Sequence, residues 1–283
     1  MATDDTTDKT DDSNPSSGEM VEAYNNADFL GSADGRMLRM LAEYLEPMKR
    51  FEKEGVSDTI VVFGSARTRS REDAQLALNV AEKSGEGVTR AQRDLENSRY
   101  YEAARTLSHR LTEWAINVNG PENRFVICSG GGPGIMEAAN RGASEAGGPT
   151  IGLNITLPHE QHENPFLTDD LSFKFHYFFM RKFWFVYLAK AVIIFPGGFG
   201  TMDELFEVLT LDQTGKLAHP LPIVLFGDAY WDKVLDMDAM IEMGTIGEDD
   251  LAHFLKTSSV DEAFDFLVRE LTATALEHPG GDL

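Results

Sequence analysis

The sequence predicts an α/β fold built on a doubly wound parallel sheet. Short, continuous apolar runs such as residues 59–63 and 191–195 are typical of strands that are buried on both faces. These runs alternate along the chain with longer stretches of helical periodicity, which indicates strand-helix-strand units. Three of the runs end in glycine-containing turns, as strands do where a ligand binds beyond their carboxyl ends. We therefore expect a Rossmann-like sheet with helices on both faces and added helices before the first strand.

The N-terminal part of the chain is predicted to contain a tail, a helix, a strand and a helical insertion. The first residues are rich in Asp, Thr and Ser and offer few apolar side chains to bury, so we expect them to be disordered. A glycine-containing break divides the insertion into two helices. The predicted elements are the tail 1–22, a helix at 37–51, a strand at 59–63, and the insertion near 71–117 with helices at 74–83 and 91–114.

From residue 125 onward, apolar strands and helices alternate, and we expect residues 23–283 to form a single domain. The apolar runs are four to six residues long, which suits strands, and the periodic stretches between them are longer. The predicted strands are 125–128, 150–155, 191–195 and 221–226, and the predicted helices are 135–146, the aromatic-rich 173–189 and 202–213, with the rest of the C-terminal part also helical.

Composition narrows the classes of partner. The formal net charge is -22, with 47 acidic against 25 basic residues, so the chain would repel a nucleic-acid polymer. A small phosphorylated ligand needs only local donors and is compatible with this charge. The single cysteine, Cys128, lies in an apolar run, which indicates a core residue in a reducing compartment. With no signal-peptide pattern and no apolar stretch long enough for a bilayer, we expect a soluble cytoplasmic protein without a membrane partner.

Three glycine-containing turns form the candidate ligand site. They are Gly64-Ser65, residues 130–134 and residues 197–200. Glycine lets the backbone approach an anion, and a following helix presents unpaired amides and the positive end of its dipole. For residues 130–134 alone, a tight turn accounts for the pattern as well as a ligand does. Neither longer turn has the spacing of a dinucleotide fingerprint or a Walker loop, which disfavours a nicotinamide enzyme and a P-loop NTPase.

The residues that follow the last of these turns suggest more than phosphate binding. Thr201 would either cap a helix beginning near residue 202 or donate its hydroxyl to a phosphate oxygen. A carboxylate at Glu204 would repel a bound phosphate, which points to a role on a sugar hydroxyl or an attacking water. The alternative is that Asp203 and Glu204 complement the helix dipole. For Asp203 that explanation is sufficient, whereas for Glu204 both explanations remain open.

Two adjacent cations, Arg181 and Lys182, interrupt the aromatic-rich helix. Charges among aromatic side chains need either a route to water or an anionic partner, here a nucleotide or an internal carboxylate. The excess of aromatic residues in this helix indicates core packing or a subunit interface, and base stacking is the third alternative. His176 and the pair His159 and His162 lack the spacing of metal ligands, so we expect surface histidines and no metal.

Three motifs in this sequence resemble those of the LOG ("Lonely Guy") family. Residues 196–204 read P-G-G-F-G-T-M-D-E and resemble that family's P-G-G-x-G-T-x-x-E. Residues 180–182 resemble its M-x-x-R-K element, with the Met moved next to the Arg, and residues 130–137 resemble its glycine-rich turn. The resemblance spans about residues 59–226. Members were formerly labelled lysine decarboxylase-like, and characterised ones are nucleotide 5′-monophosphate phosphoribohydrolases that release a free base and ribose 5-phosphate.

The resemblance implies roles for individual residues. Arg181 and Glu204 match the family's catalytic pair. The residues implied in substrate binding are Gly64, Ser65, Gly132, Gly134, Met136, Lys182, Gly197, Gly198, Gly200, Thr201 and Asp203. Glu137 stands where the short plant members usually have Gly, which points to a larger bacterial branch and to AMP-like or other purine or pyrimidine monophosphates beside cytokinin nucleotides. No cofactor is implied, and the resemblance and the aromatic helix favour a homodimer or a larger even homo-oligomer.

The predicted reaction passes through an oxocarbenium-like ribosyl transition state, by analogy with glycoside hydrolysis. Glu204 would hold the ribose hydroxyls, stabilise the developing charge or orient the water, and Arg181 would orient Glu204 or the phosphate. Glu160 or Glu163 would protonate the departing base. Two other classes stay open: a non-catalytic nucleotide sensor or carrier, and a decarboxylase that uses Lys182 for a Schiff base.

Overall fold

The centre of the protein is a seven-stranded sheet in which every strand pairs in parallel with its neighbours. The computed structural model describes residues 20–119, 122–157 and 162–281. The strand order is β4-β3-β2-β1-β5-β6-β7, which confirms the doubly wound parallel sheet. The strands are β1 (Thr59–Phe63), β2 (Val126–Ser129), β3 (Thr150–Ile155), β4 (Ser172–Phe175), β5 (Ala189–Ile194), β6 (Ile223–Phe226) and β7 (Phe254–Thr257).

The chain builds this sheet in two directions from β1. It first runs outward through β2 and β3 to the edge strand β4, and it then returns to the other side of β1 with β5. Every residue of β1, β2, β5 and β6 is buried, and most of these residues are apolar, as in strands that are covered on both faces. The reversal between β1 and β5 is the place where a doubly wound sheet leaves a crevice for a ligand.

Helices cover both faces of the sheet. One face packs against α4, α5 and α10, and the other packs against α6 and α7. The helices are α1 (Ala27–Gly31), α2 (Arg36–Lys53), α3 (Arg71–Ser84), α4 (Val88–Asn119), α5 (Ile135–Glu145), α6 (Phe178–Tyr187), α7 (Phe199–Gln213), α8 (Asp228–Val234), α9 (Met237–Glu242) and α10 (Val260–Thr274). The predicted break in the insertion is confirmed, since α3 ends at Gly85 with a φ of 75°.

The chain divides into two compact units, Met1–Ala42 and Glu43–Leu283. In the first unit, Asn26 caps α1 and Arg39 donates a hydrogen bond to the Ser32 carbonyl (2.7 Å). The second unit holds the whole sheet. Most of the predicted tail, residues 1–19, lies outside the described residues, and the single domain over 23–283 stays a prediction.

A buried ion pair joins the C-terminal end of the chain to the amino-terminal edge of the sheet. Arg124 precedes β2 and bonds to Asp58, which precedes β1. The same guanidinium donates to the carbonyls of Ala275 (2.7 Å) and Leu276 (2.8 Å) just after α10. Each charge is therefore satisfied although both side chains are buried.

Three element predictions are wrong. Residues 172–175 form β4 and not the start of a helix, because buried Phe173 and Phe175 alternate with exposed Lys174 and pair with β3. The C-terminal part contains a strand, β7, which pairs with β6. The helix after the glycine turn at 197–200 begins at Phe199 and not near residue 202. No helix in the described part of the chain has both the length and the apolar character to cross a membrane.

Candidate active site

The candidate site lies at the carboxyl ends of β1, β2 and β5, where the order in which the chain adds strands to the sheet reverses. Backbone hydrogen bonds join the turns that follow these strands. The Ser65 amide donates to the Pro196 carbonyl (3.0 Å), and the Ile135 amide donates to the Ser65 carbonyl (3.1 Å). The three glycine-containing turns predicted from the sequence therefore meet in one place.

The turn after β5 presents the amino-terminal end of α7 to solvent. Gly198 is the N-cap, and its carbonyl accepts the first helical hydrogen bond from Met202 (3.0 Å). The amides of Phe199, Gly200 and Thr201 have no acceptor among the residues that the structure describes. Residues 198–200 are exposed, with Phe199 96% exposed. Unpaired amides at the positive end of a helix dipole suit an anion such as a phosphate.

Thr201 and Tyr230 hold this turn in its shape. A Cβ placed on Gly197 would lie 2.0 Å from Thr201 Oγ1, so the threonine side chain occupies the space that a larger residue would need. The Tyr230 hydroxyl donates to the Gly197 carbonyl. Because Gly198 is the cap, the capping role considered for Thr201 is wrong. Thr201 is 7% exposed, and its hydroxyl forms no hydrogen bond within the described part of the chain.

Glu204 is a buried carboxyl group one turn into α7. Its side chain is 7% exposed and accepts no hydrogen bond from any described residue. Burial raises its pKa to about 7, while the positive charges of Lys182 and Arg181 partly oppose this shift. Glu204 therefore changes its charge near neutral pH, which is the range that suits a general acid or base.

Arg181, the other predicted catalytic residue, is on α6 and lies near Glu204 of α7. Its Nε donates to the Leu153 carbonyl (2.6 Å), and its guanidinium lies over the Phe185 ring at 4.9 Å from the centroid. A Cβ on Gly130 would come within 2.5 Å of this guanidinium. Burial lowers the pKa of Arg181 and the charge of Glu204 raises it, so the two residues interact electrostatically. The structure thus brings the predicted pair together.

Lys182 has a different environment from its neighbour. Its Nζ forms ion pairs with Asp203 Oδ1 (2.9 Å) and Glu207 Oε2 (2.7 Å), both on α7. Of the two partners considered from the sequence, an internal carboxylate is the one observed. Two predicted substrate-binding residues, Lys182 and Asp203, therefore contact each other, and their contact with a ligand stays a prediction.

The glycine turn after β2 is shaped by close contacts. Gly134 has a φ of 74°, and a Cβ there would lie 2.4 Å from the Ser65 carbonyl oxygen. The Gly132 carbonyl accepts a hydrogen bond from Asn164 (3.1 Å). Met136 reaches back to Gly130, where a Cβ would lie 2.7 Å from its sulfur. A tight turn explains these glycines without a ligand, and their role in binding stays a prediction.

A set of buried polar side chains behind this turn was not predicted from the sequence. The Ser129 hydroxyl donates to Asn140 Oδ1 (2.6 Å) and accepts from the Gly131 amide (3.0 Å). Asn154, at the end of β3, packs against Gly131, and its buried Nδ2 has no partner among the described residues. The sequence pattern that could have predicted these side chains is a polar residue at or near the end of an apolar strand, as at Ser129 in β2 and Asn154 in β3.

The residues considered for acid catalysis and metal binding lie elsewhere or outside the described part. Glu163 is exposed and accepts a hydrogen bond from the Ser172 hydroxyl (3.2 Å). Glu160 and His159 lie outside the described residues, whereas His162 and His176 are exposed, as expected of surface histidines. Within the described ranges, no group of three or more His, Cys, Asp or Glu residues is placed to hold a metal ion.

The fold is a doubly wound parallel α/β fold, and its candidate ligand site lies where the strand order reverses. A family model described as "Possible lysine decarboxylase" matches residues 136–267. Curated relatives include the cytokinin riboside 5′-monophosphate phosphoribohydrolase LOG of Oryza sativa subsp. japonica, which is 30% identical over 154 residues (53% of this chain, 58% of the relative). The corresponding protein of Rhodococcoides fascians is 32% identical over 107 residues (36% of this chain, 51% of the relative). The chain is similar to members of the LOG family over this region, in agreement with the resemblance that its motifs show.

The matches cover only part of these proteins. The chain spans less than two thirds of the length of each of the two relatives. Among solved structures, the X-ray structure of TM1055 is 21% identical with a TM-score of 0.43, over 75% of this chain and 99% of that one. The molybdenum cofactor carrier protein of Chlamydomonas reinhardtii is 18% identical with a TM-score of 0.42, over 76% and 99%.

Proposed function

We propose that the protein hydrolyses the N-glycosidic bond of a nucleoside 5′-monophosphate and releases a free base and ribose 5-phosphate. The observation that carries this proposal is the buried carboxyl of Glu204, whose pKa is raised to about 7, one turn from exposed, unpaired helix amides. An anion site alone supports binding, whereas a carboxyl group that titrates near neutrality beside it supports chemistry. The names of the curated relatives describe the same reaction class.

In the proposed complex, the amino-terminal turn of α7 anchors the 5′-phosphate. The amides of residues 199–201 and the free hydroxyl of Thr201 supply donors, and the helix dipole favours the negative charge. Thr201 and Glu204 are three residues apart and so lie on the same side of the helix. A phosphate held at Thr201 would thus place the ribose near Glu204, and this remote contact would position the reacting carbon.

In the proposed reaction, water attacks C1′ of the ribose as the bond to the base nitrogen breaks. The hydroxyl group of the water stays on C1′, and the other proton of the water is transferred to the released base. Ionised Glu204 would orient that water and stabilise the positive charge that develops on the ribose. Arg181, held by the Leu153 carbonyl and Phe185, would keep part of the Glu204 population ionised through its own charge.

The environment of Lys182 argues against the decarboxylase alternative. A Schiff base needs an unprotonated lysine amine as the nucleophile. Lys182 is held by two carboxylates at 2.9 and 2.7 Å, and its hydrogen bonds to them raise its pKa. Its amine therefore stays protonated at neutral pH, and the hydrolase proposal is favoured over the decarboxylase.

The replacement Glu204→Gln tests the proposal. We expect it to lower the rate of base release from AMP, measured by HPLC, by about 100-fold or more while the affinity for AMP is kept. Glu242→Gln makes the same replacement at an exposed residue of α9 that is outside the predicted site and serves as the matched control. Near wild-type turnover of Glu204→Gln would contradict the assigned role.

A panel of AMP, GMP, CMP, UMP and a cytokinin riboside monophosphate extends this test to the substrate. We expect the wild-type protein to release the base from at least one of them. Binding of these nucleotides by calorimetry without any release of base would instead establish the carrier or sensor alternative.

We also propose a homodimer or a larger even homo-oligomer. The support is a set of phenylalanines that a lone chain leaves in water: Phe178 and Phe179 at the start of α6 are 53% and 51% exposed, and Phe199 is 96% exposed. Light scattering coupled to size exclusion would show a mass of two or more chains, and a mass of one chain across the measured concentrations would refute the assembly.

A further inference from the structure

We propose that the protein has a second ligand site, separate from the candidate active site, for a small molecule that carries two or more phosphate groups. A cavity of about 650 Å³ opens between the loop after β1, the first turns of α4 and the start of α5. Its walls include neither Arg181 nor Glu204 nor any residue of 196–201, and Gly134 is the residue that it shares with the predicted substrate-binding set. A volume of this size suits a ligand as large as a nucleotide.

The cavity concentrates positive charge in a strongly acidic protein. Four of its lining residues are arginines: Arg67 and Arg69 on the loop, and Arg90 and Arg93 on α4. Arg90 and Arg93 share one carboxylate, Asp94, at 3.9 and 2.9 Å. The side chains of Arg67 and Arg69 have neither an ion pair nor a hydrogen bond with any residue that the structure describes. With a net charge of -22 over the chain, these two uncommitted cations mark a local site for an anion.

The other carboxylates at the cavity already have partners. Glu137 accepts a hydrogen bond from the Tyr101 hydroxyl (2.7 Å), and Asp73 accepts one from the Ser70 hydroxyl (2.7 Å). Neither carboxylate forms an ion pair with Arg67 or Arg69 among the described residues, and both retain free lone pairs for hydroxyl donors. A polyphosphate joined to a sugar fits this mixture of cations and acceptors better than a bare anion does.

The geometry of the guanidinium group favours phosphate as the anionic group of the ligand. Arginine forms paired hydrogen bonds with the oxygens of phosphate, and it does so with little loss of solvation compared with lysine. Pro133 and Gly134 also line the cavity, so the positive end of the α5 dipole lies at its wall and adds to the attraction for an anion.

The loop that carries Arg67 and Arg69 starts at the candidate active site. Ser65 bonds through its amide to Pro196, and its hydroxyl accepts from the Arg67 amide (3.1 Å). A ligand that holds the two arginines therefore also holds the loop that leaves the Gly64-Ser65 turn. The two sites are neighbours joined by one short segment of backbone.

Calorimetric titration with pyrophosphate and with ATP tests this site. The titrations use Glu204→Gln protein in the presence of excess AMP, so that the candidate active site is occupied and no substrate is consumed. We expect both probes to bind, with ATP the tighter one because its ribose meets the acceptors. In the same background, Arg67→Gln combined with Arg69→Gln should weaken both by about 10-fold or more.

A matched control keeps the total charge change equal. Lys216→Gln combined with Lys233→Gln also removes two exposed positive charges, and neither residue lines the cavity. This control should bind the probes as tightly as its parent. Equal binding by the arginine variant and the control would overturn the proposal, as would the absence of binding at millimolar probe. Pyrophosphate as tight as ATP would overturn the sugar-bearing class of ligand.

The outcome is independent of the proposed hydrolase activity. Base release from nucleotides is measured on the wild-type protein without either probe, whereas this test measures binding of a probe to a variant. A protein that releases no base would refute the proposed function and leave the cavity assignment intact.

Discussion

Glu204 shows how burial outweighs attraction at a single residue. Two cations lie nearby, yet loss of solvation dominates and holds the pKa at about 7, above the ordinary value of 4.5. Burial also lowers the pKa of Arg181, although a backbone carbonyl and an aromatic ring contact its guanidinium in place of water. Side chains of opposite charge thus coexist in the site without a direct hydrogen bond between them.

The pH dependence of turnover follows from this residue. If ionised Glu204 is the active form, kcat/KM for AMP rises as the pH increases through about 7 and reaches a plateau above it, because the group loses its proton there. Initial rates from about pH 5 to about pH 9 measure this. The phosphate of AMP also titrates in this range. The affinity of Glu204→Gln for AMP, measured over the same range, gives the contribution of the phosphate alone because this variant has no carboxyl group at residue 204. A flat profile would contradict the assignment.

At the scale of elements, the turn between β5 and α7 illustrates how a helix end becomes a site. The strand is buried and the helix start is exposed, so the turn must carry the chain from core to solvent within a few residues. Gly197 is where that turn is tightest, since Thr201 fills the space beside it and Tyr230 holds its carbonyl. Gly198, the next residue, has open space around it.

A pair of alanine substitutions separates these two glycines. Gly197→Ala places a methyl group 2.0 Å from Thr201 Oγ1, so we expect the turn to distort, with a loss of about 1–3 kcal/mol in the free energy of unfolding. Gly198→Ala meets no atom within 4 Å and has a φ of -96°, so its stability should stay close to wild type. Urea denaturation of both variants checks this, and equal losses would refute the role of Thr201 in shaping the turn.

Much of the element order was predictable because the strands and helices use different periods. β1 is mostly β-branched and β5 ends in the β-branched run Val192-Ile193-Ile194, and the sequence places both strands within a few residues of their observed ends. β4 was missed because residues 172–179 hold aromatics at spacings that suit either period, with no glycine or proline at the change. β7 was missed because only two of its four residues are apolar.

The candidate site was predictable where it depends on spacing along the chain. Gly197, Thr201 and Glu204 follow one strand and form one turn, so their proximity follows from local structure. The pairing of Lys182 with Asp203 depends instead on how α6 packs against α7, and no local pattern encodes that contact. The contact of Asn154 with Gly131 likewise depends on how β2 pairs with β3, because α5 separates the two residues in the sequence.

At the scale of the whole molecule, charge is the dominant feature. The chain carries 47 acidic and 25 basic residues, which gives the net charge of -22. Most of the observed ion pairs are exposed and contribute little each, so repulsion among the remaining carboxylates opposes the compact state. The arginines at the cavity are an exception to this distribution.

Added salt should therefore stabilise the protein. Raising NaCl from about 20 mM to about 500 mM screens the repulsion, so we expect the midpoint of urea denaturation to increase. KCl at the same concentrations should give the same increase, which would identify screening as the cause. A midpoint that falls with salt would show that attractive ion pairs outweigh the repulsion.

The central position of β1 has a consequence for how the protein acquires its site. β1 pairs with β5, so residues 59–63 meet residues 189–194 only after more than a hundred intervening residues have been made. Contacts between such distant segments close large loops and form slowly. During synthesis, the Ser65 amide must wait for Pro196, and the ribosome has to extend the chain through α7 before the two halves of the site can meet. A nascent chain that stops short of β5 has the strands from β1 to β4 but no place for a ligand between β1 and its missing neighbour.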